Sequence, residues 1–267
     1  MPWQDRLFLA LSGVQHRIRS FQAPLPSHPF FSELQSAVFE KARHDTHSFW
    51  PLEALRTEWK HSQEKLGVKD LGAGSHTIQK SQRPVAKMAR HSLSPAWFSR
   101  LLHFLITHYQ LTTVAELGTS LGLNSLYLHQ ALPPHGELHT FEGCPNTLAW
   151  AQKHFDGWNA SRIHTHLGNL DITWPVFLAN NPTLDLVYLD ANHREAPTVK
   201  YFEACLPYLS SRAIVVVDDL YWSSGMHRAW QRISQHPQVQ IAIDLFEGGL
   251  LFFDPNLPKT HLRYHLR

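Results

Sequence analysis

A doubly wound α/β sheet behind a helical lead is the fold that this sequence predicts, and three observations point to it. From Thr113 onward, strand-like runs alternate with helical ones. Two of those runs, residues 184–189 and 213–217, are apolar almost without interruption, as strands buried on both faces are. An acid recurs at or just past the strand ends: Glu116, Glu142, Asp190, Asp218 and Asp219. Open parallel sheets bind ligands outside the carboxyl ends of their strands, so acids placed there repeatedly form a candidate site.

The elements follow in order. Residues 3–22 carry Leu7, Leu9, Leu11, Val14 and Ile18 near helical spacing, until the prolines at 24, 26 and 29 break the pattern. A second helix is expected over 30–43, with Phe31, Leu34, Val38 and Phe39, and a third over 51–66, with no strand among the three. Val68-Lys-Asp-Leu-Gly-Ala-Gly-Ser75 has a glycine turn of its own, but no helix follows it directly, so it reads as an exposed loop that can fold over the candidate site. Helices over 84–92 and 95–109 lead into the sheet. The chain therefore divides into a helical N-terminal extension or lid, 1–92, and the main α/β domain, 93–267.

The central stretch is Val114-Ala-Glu-Leu-Gly-Thr-Ser-Leu-Gly-Leu-Asn-Ser125. It reads as a strand, a turn with Gly118 and Gly122, then a helix over 126–132 capped by Asn124 or Ser125 and stopped by Pro133-Pro134. Such a turn lets a ligand approach bare backbone. A pyrophosphate turn needs Gly-x-Gly-x-x-Gly; here Gly-x-Gly is missing, and Glu116 ahead of the turn suits a cationic ligand better. Downstream come a strand over 137–142 ending in Glu142 and a helix over 146–155. A strand over 163–167 then ends at Gly168-Asn169. Strand 184–189 ends in Asp190, a helix covers 196–209, and strand 213–217 ends in Asp218-Asp219. A helix over 226–234, a strand over 239–246, a Gly248-Gly249 turn and a strand over 250–253 close the domain with an antiparallel pair. Glu142 lies a full βα unit after Glu116, where a strand-tip carboxylate can accept both ribose hydroxyls of an adenosine.

Glu116-Leu-Gly118 with Gly122 resembles the first motif of class I S-adenosylmethionine-dependent methyltransferases. Together with Phe141-Glu-Gly143, Leu189-Asp-Ala-Asn-His193 and Val217-Asp-Asp219, it is similar to the catechol and caffeoyl-coenzyme A type of O-methyltransferase, over about half the chain. The resemblance implies a Rossmann-like sheet of about seven strands in the order 3-2-1-4-5-7-6, the last one antiparallel. It implies S-adenosylmethionine held by Glu116, Gly118, Ser120, Gly122, Asn124, Ser125, Glu142, Gly143, Asn169 and Asp190. It also implies a divalent cation, Mg²⁺ or another, on Asp190, Asp218 and Asp219, with Asp219 standing where that type has asparagine. His193 occupies the position of that type's lysine base, and a neutral imidazole can take a phenolic proton, so Asp190 and His193 are the candidate catalytic residues. Rival readings are a metal-independent N- or O-methyltransferase, a non-catalytic cofactor-binding scaffold, and a nicotinamide-dependent oxidoreductase, the last disfavoured by the absent Gly-x-Gly.

Other residues carry weaker signals. His164-x-His166 has no third ligand nearby in sequence and reads as ordinary strand histidines. Cys144 has no evident base, and Tyr221 and Trp222 fit an acceptor wall or plain aromatic packing. Residues 1–115 carry a balance of +6 and residues 116–267 one of −4, within a net +2. Lys80, Arg83, Lys87, Arg90 and Arg100 fall in an interval without acids, which reads as a solvated helix face or a surface for an anionic small-molecule acceptor. The long helical lead also suits a homodimer surface. With no long basic run, no nucleic-acid partner is expected, and no apolar run is long enough for a membrane span. Two cysteines make no disulfide framework, the N-terminus does not read as a signal peptide, and the expected compartment is the cytoplasm.

Overall fold

A computed structural model describes residues 3–21, 25–68 and 81–266 of the chain. The glycine-rich run at 69–75, expected as a loop over the site, lies outside the described residues. The helical lead holds α1 (Trp3–Phe21), α2 (Pro29–Leu34), a π-helical stretch (Gln35–Phe39), α3 (Glu40–His44) and, after a short 3₁₀ turn, α4 (Trp50–His61). Here the expectation of a strand-free lead with a helix to residue 66 is corrected. α4 ends at His61, and Lys65–Val68 (β1) pairs antiparallel with Ser81–Pro84 (β2). Helices α5 (Val85–His91) and α6 (Ala96–Tyr109) then deliver the chain to the sheet.

The main sheet is built from β3 (Thr113–Leu117), β4 (Glu137–Glu142), β5 (Ile163–Leu167), β6 (Leu184–Leu189), β7 (Leu209–Asp218), β8 (Ile241–Asp244), β9 (Gly248–Phe252) and β10 (Thr260–Arg263). Between them run α7 (Leu123–Ala131), α8 (Pro145–Gly157), α9 (Leu170–Leu178), α10 (Glu195–Cys205) and α11 (Ser224–Ser234). The spatial order is β5-β4-β3-β6-β7-β9-β8-β10, with β9 antiparallel to both neighbours and every other pair parallel. Counted from β3, this is the expected 3-2-1-4-5-7-6 with an eighth strand added outside. Gly248 and Gly249, expected as the turn, lie inside β9, because the rings of Phe98 and Trp230 press against the backbone there. The order reverses between β3 and β6, the switch point where such sheets bind ligands.

Both faces of the central strands are buried, which is why their sequences are continuously apolar. Leu186, Tyr188, Ile214 and Val216 face one core, with Phe31, Leu52, Phe98, Leu101 and Tyr127 from α2, α4, α6 and α7. Val187, Leu189, Val215 and Val217 face the other, with Trp174, Phe202 and Trp230 from α9, α10 and α11. The apolar faces of α2 and α4 therefore share a core with the sheet itself, and each large side chain buried there contributes about 1.5–3 kcal/mol. Among the described residues, no helix is long and apolar enough to cross a membrane.

Candidate active site

The turn after β3 is shaped by what crosses it. Gly118 has φ 116°, and a Cβ there would lie 2.1 Å from the Asp190 carbonyl oxygen, so only glycine fits where the ends of β3 and β6 meet. The Asp190 N–H donates to the Leu117 carbonyl at 2.9 Å, and the Gly118 and Thr119 N–H groups both donate to the Phe141 carbonyl. Ser120, at φ 48°, donates its N–H to Glu142 Oε2 at 3.0 Å, while Glu142 Oε1 accepts from Cys144 N–H at 2.8 Å. Glu142 thus ties the tips of two strands together at the wall of a cavity of about 300 Å³. Gly118, Ser120, Glu142, Gly143, Asn169, Asp190 and His193 all line that cavity.

Four of the cofactor candidates lie elsewhere. Glu116 is fully buried, and its Oε2 accepts from Ser125 Oγ and, at 2.7 Å, from Thr140 Oγ1. Gly122, at φ 87°, is the cap of α7, and a Cβ there would collide with Phe155 and Ala151 of α8. The expected caps, Asn124 and Ser125, sit inside the first turn with side chains directed inward. Asn124 Nδ2 donates to Ser94 Oγ at 2.8 Å, and Asn124 Oδ1 accepts from Ser99 Oγ at 2.6 Å. These side chains satisfy buried polar groups beneath the turn, and none of the four lines the cavity.

On the other side of the cavity stand Asp190 and His193, with Asp219 beside His193 but outside the lining. His193 Nδ1 lies 3.4 Å from Asp219 Oδ2, and its Nε2 lies 3.9 Å from Asp190 Oδ1. Ligand atoms of the three lie within 4.8 Å of one another. Asp218, expected beside Asp219, turns inward: its Oδ2 accepts from Tyr188 OH and, at 3.3 Å, from Ser94 Oγ. Ser120, Asn192, His193 and Asp219 all have positive φ, half of the eight such non-glycine residues among those described. Backbone held in this sparsely populated region clusters at functional sites.

Electrostatics at this end are lopsided. Burial, then Asp218, Asp219 and Glu116, push Asp190 well above the usual carboxylate range. Burial and Asp219 raise Asp218 to about 7, and burial and Glu247 raise Asp219 to about 6. Burial also raises Glu116 to about 7, and its Oε1 has no hydrogen-bond partner among the described residues. No described lysine or arginine forms an ion pair with any of the four. Burial lowers His193, leaving it neutral at pH 7. Two carboxylates and an imidazole amid uncompensated negative charge fit a divalent cation.

Met88, Ser92 and Tyr201 carried no sequence signal, yet they line the cavity. Val68, Arg83, Met88 and Ser92 reach it from β1, β2 and the end of α5, while Asn192 and Tyr201 reach it from the α10 side. Val68 and Arg83 come with the β1–β2 ribbon, Met88 and Ser92 with α5. The basic interval splits: Arg83 lines the cavity, whereas Arg100 is buried, donating through Nε to the Ala42 carbonyl at 2.7 Å, and so forms no anion-binding surface. Trp222 stands beside His193, ring centroids 5.9 Å apart, and Tyr221 instead packs on Phe246 and donates to Asp244.

Residues 115–220 match the methyltransferase-domain family. A catechol O-methyltransferase of Niastella koreensis is 28% identical over 137 residues, 51% of this chain and 61% of that protein, so the chain spans about three-fifths of the curated relative's length. The O-methyltransferase TomG of Streptomyces achromogenes, solved with SAM, superposes with a TM-score of 0.53 at 24% identity, covering 61% of this chain and 81% of that one. The SAH-bound methyltransferase PaMTH1 of Podospora anserina reaches 0.60 at 16% identity, covering 86% and 97%. The shared fold therefore extends beyond the sheet into the helical lead.

Proposed function

We propose that this chain, whose residues 115–220 form a class I methyltransferase domain, transfers a methyl group from S-adenosylmethionine to an oxygen of a small-molecule acceptor. One observation carries the reading: the glycine turn with Glu142 and the Asp190–His193 pair open onto the same cavity. A donor bound on the first is then held against an acceptor bound beside the second.

Glu142 binds the ribose hydroxyls, its position fixed by the Ser120 and Cys144 N–H groups. Gly118 keeps the turn bare of side chain so that the donor can lie on backbone, and Gly143 and Asn169 line the adenine side. S-Adenosylmethionine supplies an electrophilic methyl group on a sulfonium. Asp190, Asp219 and His193 would hold a divalent cation, which lowers the pKa of an acceptor hydroxyl. His193 stands ready as the base for the acceptor proton, kept neutral by burial. An imidazole that takes the proton would not ligate the cation, which Asp190 and Asp219 would then hold. Trp222 offers an aromatic wall for a planar acceptor, and Arg83 brings positive charge that suits an anionic group.

The test is formation of S-adenosylhomocysteine from S-adenosylmethionine over a panel of vicinal diols and phenols, with Mg²⁺ or with chelator. Turnover that needs both an oxygen acceptor and the metal is the expected result. Turnover of amines alone, unaffected by chelator, would overturn the oxygen and metal assignments together.

A further inference from the structure

The pair His164-x-His166 gains in the fold the partners it lacks in the sequence. β4 and β5 are parallel neighbours with His139 registered against His164, and Glu137 lies two residues before His139 on the same face. The His139 and His164 rings stack, centroids 5.0 Å apart. Both turn Nε2 toward one atom, Glu137 Oε2, at 3.7 Å and 3.8 Å. Those gaps are too long for hydrogen bonds. They approach the separation of about 3.4 Å between donors that each lie about 2.0–2.2 Å from a tetrahedral ion, whereas the His139 and His164 nitrogens themselves stand more than 4.8 Å apart, so His164 has to swing inward to ligate.

The surroundings are those of a ligand set. His139 Nδ1 lies 3.2 Å from His166 Nε2, a hydrogen bond that fixes the ring and its tautomer, as the outer partners of metal-bound imidazoles do. Phe177 packs against His139 at 4.6 Å and Phe141 stacks on His166 at 4.4 Å, giving the cluster an apolar back wall. Its front is open, since the side chains of His164 and Glu137 are 47% and 58% exposed. Burial brings His139 down to about 4, so its ring is neutral at physiological pH.

We propose that Glu137, His139 and His164 form a second metal site, selective for a borderline transition ion such as Zn²⁺, on the β4–β5 face of the sheet. A rotation of the exposed His164 ring brings its nitrogen onto the ion, and water fills the fourth position. Two imidazoles and one carboxylate favour Zn²⁺, Ni²⁺ or Cu²⁺ over Mg²⁺ or Ca²⁺, which separates this site from the oxygen-rich one at the strand tips. An ion bound there would join the sheet's edge strand β5 to β4.

The experiment is Zn²⁺ titration of the full chain with a chromophoric competitor, in millimolar Mg²⁺ and with Asp190→Asn and Asp219→Asn present throughout, because Mg²⁺ alone cannot hold an imidazole-containing site against Zn²⁺. With the β4–β5 face otherwise wild type, the chain is expected to bind one Zn²⁺ that Mg²⁺ does not displace. His164→Ala and Glu137→Gln, both at exposed positions, should each weaken that binding at least tenfold, and His166→Ala should weaken it less. With Cu²⁺, electron paramagnetic resonance should show coupling to two imidazole nitrogens in that background and one when His164→Ala is added. Unchanged Zn²⁺ affinity in both exposed variants, or no Mg²⁺-resistant Zn²⁺ in the background itself, would overturn the proposal.

Discussion

Carboxyl groups at the ends of parallel strands meet two opposite environments in this protein. Asp244, ending β8, is surrounded by donors: Tyr221 OH at 2.6 Å, Phe246 N–H at 3.0 Å, His16 Nε2 at 3.2 Å and Arg263 Nε at 3.4 Å. Burial pushes its pKa up, but the hydrogen bonds from His16 and Tyr221 outweigh that and hold it below the usual range. Around the β3–β6 switch point, Glu116, Asp190, Asp218 and Asp219 are all raised. The first arrangement fastens α1 and β10 to the sheet. The second holds its carboxyl groups toward the protonated form, and a bound cation would restore their charge, which supports the proposed ligand site.

Breaking the first arrangement should produce the largest effect. Asp244→Ala strands His16 and Arg263 and is expected to lower stability by about 3–5 kcal/mol, read by urea unfolding. Asp190→Asn, by contrast, should leave the unliganded protein as stable as wild type or more so, while methyl transfer is lost. Similar destabilisation by both would erase the distinction.

Titration sharpens the contrast. Asp244 has a depressed folded pKa, so its stabilisation is present above pH about 3.8 and is lost as pH falls through the lower folded value. Glu116 has a raised one, about 7 against 4.5, so its protonated form favours the fold, and stability declines as pH rises between those values. That decline is at most about 3 kcal/mol, at 1.36 kcal/mol per unit. Thermal melts of Glu116→Gln without ligand should match wild type at pH 4 and exceed it at pH 8.

Smaller effects separate the two sides of the cavity. Glu142→Ala should weaken S-adenosylhomocysteine about 100-fold, from lost hydrogen bonds to a charged acceptor worth about 1.5–3 kcal/mol each. Asp219→Asn should raise the Mg²⁺ concentration giving half-maximal activity about tenfold, the scale on which metal-site substitutions act, with nucleoside affinity kept. Asp218→Asn should shift it less, because Asp218 is engaged by Tyr188 and Ser94.

The parts of the fold legible in the sequence were those with one dominant signal. Buried strands such as Leu184–Leu189 announce themselves by composition, and alternation with helices orders them. Elements set by tertiary partners were not legible. β10 is a short polar strand held by pairing to β8, and α9 contains Pro175, which disrupts a helical pattern read from sequence alone. At the site, the strand-tip positions of Glu142, Asp190 and Asp219 followed from topology. The inward turn of Asp218 did not, since Ser94 lies 124 residues away. Asn124 and Ser125 looked like caps because their types cap helices, but buried neighbours engaged their side chains instead.

The most direct test of the central claim is calorimetric titration with S-adenosylhomocysteine, with and without Mg²⁺, and with NAD as control. Micromolar binding of the nucleoside is expected, weakened about 100-fold in Glu142→Ala and retained in Asp219→Asn, with no binding of NAD. A folded protein that ignores the nucleoside, or binds NAD in its place, would contradict the assignment of the β3–β6 cavity to a methyl donor.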